Sequence, residues 1–173
     1  MLFIPKGPPG PLPIRWLTDC VDVTIIVMGF VMVGIVSFNV AIHVVKFDVA
    51  WTTELCEFLM TWVTFLGGAA AARRGAHMTI TEFIDKLSGR PRFVADAFVQ
   101  GFCALVMLVC VYFGFGLVNR TWGTDLVILR WPIAVQYLAL PVGCGLALLF
   151  MLFDLFQILR GVPRAVRYGE AGE

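Results

Sequence analysis

The sequence predicts an all-α integral membrane protein with four transmembrane helices. Three observations carry this. Of 173 residues, 60% are apolar and 14% charged, whereas soluble domains hold roughly 45–50% and about 25%. Mean hydropathy is +0.88, more apolar surface than a 19.1 kDa soluble fold could hide. Four stretches reach the length of about 20 apolar residues that a helix needs to cross the hydrocarbon. They cover about residues 21–45, 51–72, 93–118 and 132–159. The alternating ten-residue strands of a β-barrel are not seen. A soluble enzyme, a disordered linker and a nucleic-acid binder are thereby excluded. The net charge of +1 offers no basic face to a polyanion.

Ahead of the first span, residues 1–16 hold Pro5, Pro8, Pro9, Pro11 and Pro13. This composition predicts an extended cytoplasmic tail, not a helix. The first apolar run exceeds a signal-peptide core and no small-residue cleavage site closely follows it, so no cleavable signal is expected. Residues 17–160 form the membrane domain, and residues 161–173 a second cytoplasmic tail.

Orientation follows from Lys and Arg. Lys6, Arg15, Arg73, Arg74, Lys86, Arg90, Arg92, Arg160, Arg164 and Arg167 fall on one side of the membrane. Only Lys46, Arg120 and Arg130 fall on the other. Both termini are therefore expected in the cytoplasm. Trp51, Trp122 and Trp131 mark the far boundary, where an aromatic belt belongs.

Between spans two and three, residues 79–89 predict a short amphipathic helix. Ile80, Phe83, Ile84 and Leu87 share one face. Thr79 and Glu82 have capping-box spacing, and Gly89 followed by Pro91 ends the helix. With Arg90 and Arg92 beside it, this helix either lies in the membrane interface or caps the cytoplasmic end of the bundle.

Span two is the most informative. Glu54, Glu57, Thr61, Thr64, Gly68 and Ala71 form one polar or small stripe. Leu55, Phe58, Leu59, Trp62, Phe65 and Leu66 lie opposite. Membrane helices associate by close packing at small residues and by polar contacts. The stripe is therefore expected to face protein, and residues 67–72 to allow close approach. Span three repeats the pattern with Asp96, Gln100, Cys103, Met107, Cys110 and Gly114. Span four does so with Gln136, Ala139, Gly143, Ala147 and Asp154, and Pro141 should bend it near Tyr137. A four-helix bundle is the economical arrangement.

Glu57 stands six residues past Trp51, about 9 Å into the membrane at 1.5 Å per residue. It reads as an ion or proton site, as a partner-facing hydrogen-bonding group, or as a carboxylate reaching back to the periplasm. Asp22, Asp96 and Asp154 lie at the cytoplasmic level of Arg73 and Arg74, where ion pairing is expected. The five cysteines read as small apolar residues. Paired axial histidines, periplasmic cysteines, a metal-ligand cluster and a nucleophile with its base are all missing from the pattern. No catalytic residue, metal or cofactor is expected. The chain reads as an accessory or scaffold subunit. The alternatives are a quinone-linked redox subunit and a small self-associating exporter using Glu57.

The segment ELCEFLMTWVTFLGGAAAARRGAHMTITEFIDKL, from Glu54 to Leu87, resembles the small membrane subunit of TRAP transporters, the DctQ-type family. The likeness rests on Glu54, Trp62, Phe65-Leu66-Gly67, Ala69, Ala71 and Arg73-Arg74-Gly75-x-His77. It continues through Leu129-x-Trp131-Pro132, Tyr137, Leu140-Pro141 and Gly143, and covers about residues 20–160. The resemblance implies a bacterial or archaeal inner-membrane scaffold packed about one to one against a large multi-span subunit. A periplasmic substrate-binding protein would deliver an organic acid, and a sodium gradient would drive uptake. His77, a residue of that motif, either organises the interface or hydrogen-bonds a backbone carbonyl and shapes the turn into the surface helix, and Arg73 and Arg74 are expected as topology anchors first and phospholipid or partner contacts second. The sequence departs from the family where an arginine often stands at the place of Glu57. Here two carboxylates lie one turn apart.

Overall fold

The structure is a computed structural model and describes residues 12–43, 50–73 and 90–160. Its elements are α1 (Leu12–His43), α2 (Trp51–Arg73), α3 (Arg90–Thr121), a short α4 (Ile133–Tyr137) and α5 (Ala139–Leu159). Among the described residues, four segments are long and apolar enough to cross a membrane: Ile14–Ile42, Trp51–Arg73, Ala97–Thr121 and Ile133–Leu159. The amphipathic helix expected over residues 79–89, with Phe83, Ile84 and Leu87, lies outside the described residues, as do Arg74 and His77. Arg90 and Arg92 stand in the first turn of α3.

Two boundaries differ from the sequence expectation. The tail was expected to stay non-helical through residue 16, but α1 begins at Leu12. Pro13 falls in its first turn, where a missing N–H costs nothing because that amide has no intrahelical acceptor. Likewise α3 begins at Arg90, with Pro91 in the first turn. Span four, where a bend is expected, is not one continuous helix. The helix is interrupted at Leu138, between α4 and α5. Pro141 cannot donate to the carbonyl of Tyr137, and helical bonding resumes with Val142 N–H donating to Leu138 O at 3.1 Å.

The spans pack as a row rather than as the expected four-helix bundle. Among the described residues, α1 packs on α2, α2 on α5, and α5 on α3, while α1 and α3 share no comparable contact. Burial follows that order. The most apolar stretch of the α4–α5 span is 44% buried, and that of α1 is 0% buried.

The order has a local cause. A glycine stands at each crossing of α5, its own Gly143 against α2 and Gly114 of α3 against its Pro141. A Cβ on Gly143 would lie 2.8 Å from the backbone oxygen of Phe65, so only glycine permits this crossing of α2. A Cβ on Gly114 of α3 would lie 3.1–3.3 Å from Pro141. Of the stripe expected to face inward, Ala139, Gly143, Ala147 and Asp154 are buried and Gln136 is half-buried. Gln100 of α3 donates its side-chain amide to Met151 O at 3.3 Å. Val21 of α1 packs with Leu66 and Ala70 of α2, joined by Ile25, Met28, Trp62 and Leu146. All five cysteines are free.

Candidate functional site

The stripe of α2 divides into two parts. Its first residue, Glu54, is engaged within the chain. After α3 ends, residues 126–130 make one helical turn, with Arg130 N–H donating to Leu126 O at 3.2 Å. Arg130 takes a left-handed φ of 53°. This reverses the chain so that Leu126 N–H reaches Trp131 O at 2.8 Å. Amides at the start of a helical turn have no backbone acceptor. The Glu54 carboxylate takes them. Ile128 N–H donates to both its oxygens at 3.1 Å, and Leu129 N–H donates to Oε2 at 2.9 Å. Trp131 then lies edge-on to Phe58 of α2, with ring centroids 6.2 Å apart. Trp51, Trp122 and Trp131 remain exposed at this end of the spans, in keeping with an aromatic belt.

The rest of the stripe is uncovered. Glu57, Thr64 and Gly68 are exposed, and Thr61, Gly67 and Ala71 are half-buried. A Cβ on Gly67 or Gly68 would meet nothing within 4 Å. The buried residues of α2 are Thr52, Leu59, Leu66, Ala69, Ala70 and Arg73. The helix therefore turns Leu59 and Leu66, with Ala69 and Ala70, toward its own neighbours, and leaves Glu57, Thr64 and Gly68 outside together with Met60. Trp62 belongs to the packed side, against the Val21–Leu66–Ala70 cluster. Gly143 too is placed within the chain, at the α2–α5 crossing, and so is Pro141, against Gly114.

Two open grooves meet at Glu57. One, of about 370 Å³, lies between α2 and the α4–α5 span, along Thr61, Thr64, Phe65 and Gln136. The other, of about 390 Å³, lies between α1 and α2 and includes Asn39, Thr53 and Cys56. Gln136 donates to Thr61 Oγ1 at 3.3 Å. The hydroxyls of Thr61 and Thr64 donate to the carbonyls of Glu57 and Met60, one turn back, at 2.8 and 2.7 Å. These bonds satisfy the hydroxyls inside α2 while leaving the face polar. The Glu57 carboxylate makes no hydrogen bond or ion pair among the described residues.

The opposite end of the row holds buried charge. Asp22, Arg73 and Asp154 are all buried. The Arg73 guanidinium carbon lies 5.7 Å from the centre of the Phe153 ring. Arg73, expected as an exposed topology anchor, is instead part of the helix packing, because the α2–α5 crossing carries its end of α2 against α5.

Sequence reasoning missed three parts of this arrangement: the amides of Ile128 and Leu129 that hold Glu54, the Gln136–Thr61 bond, and Asn39 in the α1–α2 groove. Only the Leu129-x-Trp131-Pro132 run signalled the first.

Residues 32–161 match the model of a family described as tripartite ATP-independent periplasmic transporters, DctQ component. Over 119 residues the chain is 28% identical to the C4-dicarboxylate TRAP transporter small permease protein DctQ of Rhodobacter capsulatus, covering 68% of this chain and 51% of that one. Over 116 residues it is 27% identical to the sialic acid TRAP transporter small permease protein SiaQ of Vibrio cholerae serotype O1, covering 65% of this chain and 66% of that one. The chain thus spans about half the length of the first relative and just under two thirds of the second.

Proposed function

The chain belongs to the DctQ component family of the tripartite ATP-independent periplasmic transporters, and from that premise we propose that it scaffolds the large subunit of such a transporter in the inner membrane. Both termini lie in the cytoplasm, as the Lys and Arg distribution requires. The transport path and the sodium sites belong to the large subunit, and a periplasmic binding protein delivers an organic acid. The relatives named for C4-dicarboxylates and for sialic acid support that substrate class. This chain carries no chemistry of its own.

One observation carries the scaffold reading. A spanning helix that faced only lipid would turn its leucines outward and its glycines inward. Here α2 buries Leu59 and Leu66 beside Ala69 and Ala70, and its outer side carries Glu57, Thr64 and Gly68 beside a single large apolar residue, Met60, which supports a helix with protein on both sides. Extraction from the native host in mild detergent, with a tag on the C-terminus, tests this. A large multi-span protein recovered at about one to one supports the scaffold. A lone oligomer overturns it and favours an exporter built on Glu57.

A further inference from the structure

We propose that the uncovered face of α2 receives a transmembrane helix of the large subunit, and that this helix carries an arginine or lysine which pairs with Glu57. The inference rests on the scaffold reading and adds the surface and the chemistry of the contact. A carboxylate several ångströms inside the apolar layer is expensive unless it is paired or neutralised. Glu57 and Glu54 lie one turn apart on α2 but have different surroundings. Glu54 is held by three amide hydrogen bonds from the loop. Glu57 is exposed and has no such partner among the described residues. We take the compensating charge from the large subunit, and Lys46, which lies outside the described residues, is the internal partner against which the test is set.

The shape fits one helix. From Glu57 the exposed face runs through Met60, Thr64 and Gly68, with half-buried Thr61 at its edge, positions that share one side of a helix. Neither Gly67 nor Gly68 has a neighbour that a Cβ would touch, so a second backbone can approach closely there, as glycine permits elsewhere in membranes. The grooves on either side of Glu57, about 370 and 390 Å³, take the side chains that flank the cation. Asn39 lines one and Gln136 the other, so each groove offers a neutral hydrogen-bonding group beside the charge. Helix α1 also exposes a long face, but of Val27, Phe30, Val33 and Val40, which suits lipid.

The test uses the complex extracted from the native host. Wild-type chain must first recover the large subunit. If it does not, the scaffold reading itself fails. Given recovery, a photo-crosslinking residue is placed at Thr64, and in separate chains at Val33 and Phe113, which face away on α1 and α3. Crosslinks to the large subunit from position 64 alone are expected. Crosslinks from 33 or 113 with none from 64 overturn the docking face.

Charge is tested next. Glu57→Lys should reduce recovered large subunit at least about tenfold, because opposed like charges cost more than the step that changes an association constant tenfold. Glu57→Gln should reduce it less. Acidic replacement of one basic residue in the large subunit should restore assembly of Glu57→Lys. Unchanged recovery with Glu57→Lys overturns the pairing. So does rescue by Lys46→Glu within this chain, which would make the partner internal. Equal membrane yield of wild type and Glu57→Lys, expressed alone, shows that the variant still folds.

Discussion

The carboxylate of Glu54 accepts the amide of Leu129 at 2.9 Å, joining the first turn of α2 to a loop 75 residues further along the chain. With the two bonds from Ile128, this makes an acidic side chain the support of the loop between the last two spans. The loop's exposed Val127, Ile128 and Trp131 are held over the end of α2.

Glu54→Ala should free that loop. Hydrogen bonds to charged groups contribute about 1.5–3 kcal/mol, so exchange of the Ile128 and Leu129 amides should accelerate about tenfold or more, each 1.4 kcal/mol being one factor of ten. Glu54→Gln keeps one acceptor oxygen and should fall between. Hydrogen exchange followed by mass spectrometry over residues 124–132 makes the comparison.

Two glycines on opposite faces should behave in opposite ways. In Gly143→Ala the new Cβ meets the Phe65 backbone, which cannot rotate away. Such overpacking costs about 1–3 kcal/mol, seen as a lower midpoint of thermal unfolding in detergent. Gly68→Ala meets nothing and should leave the isolated chain as stable or up to about 1 kcal/mol more so, from helix propensity. Gly68→Leu should fold alone yet fail to recover the large subunit.

Pro141→Ala supplies the N–H that span four lacks. The break at Leu138 should close, and the new amide at 141 should exchange slowly. The same variant removes the ring that packs on Gly114, so better helix continuity should come with looser α3–α5 packing. A slowly exchanging new amide at 141 together with faster exchange along α3 than in wild type is the expected pair of results.

Arg73→Leu should destabilise the chain, and Arg73→Lys should do so less. The buried guanidinium lies over Phe153, a contact that contributes about 1 kcal/mol or more when shielded from water. A lysine retains the charge but not the planar stack. Thermal unfolding in detergent ranks the three proteins, with wild type highest.

Much was legible before any fold was known, because it depends on local sequence alone. Apolar run length located the four spans. Pro141 predicted the interruption found at Leu138. The small residues Ala139, Gly143 and Ala147 predicted the buried side of span four, which holds because α5 has helices on both sides. Which neighbour Gly143 meets was not legible, and the structure puts it against Phe65. The start of α1 was misread because the prolines were treated alike, although one within the first turn is tolerated.

The sequence by itself determined which residues share a face, since a helix repeats every 3.6 residues whatever surrounds it. It made the chain a membrane protein of four spans, and it put Glu57, Thr61, Thr64 and Gly68 on one side of α2. Which neighbour covers each side is not a periodic property. It depends on how closely two backbones can approach, and that is decided where Gly143 admits Phe65 and Gly114 admits Pro141. Those crossings set the order α1, α2, α5, α3, turn Leu59 and Leu66 inward, and leave the polar side of α2 uncovered. Tertiary structure likewise divided the two glutamates. Glu54 and Glu57 are one turn apart, but only the fold brings the Ile128 and Leu129 amides to the first and two open grooves to the second.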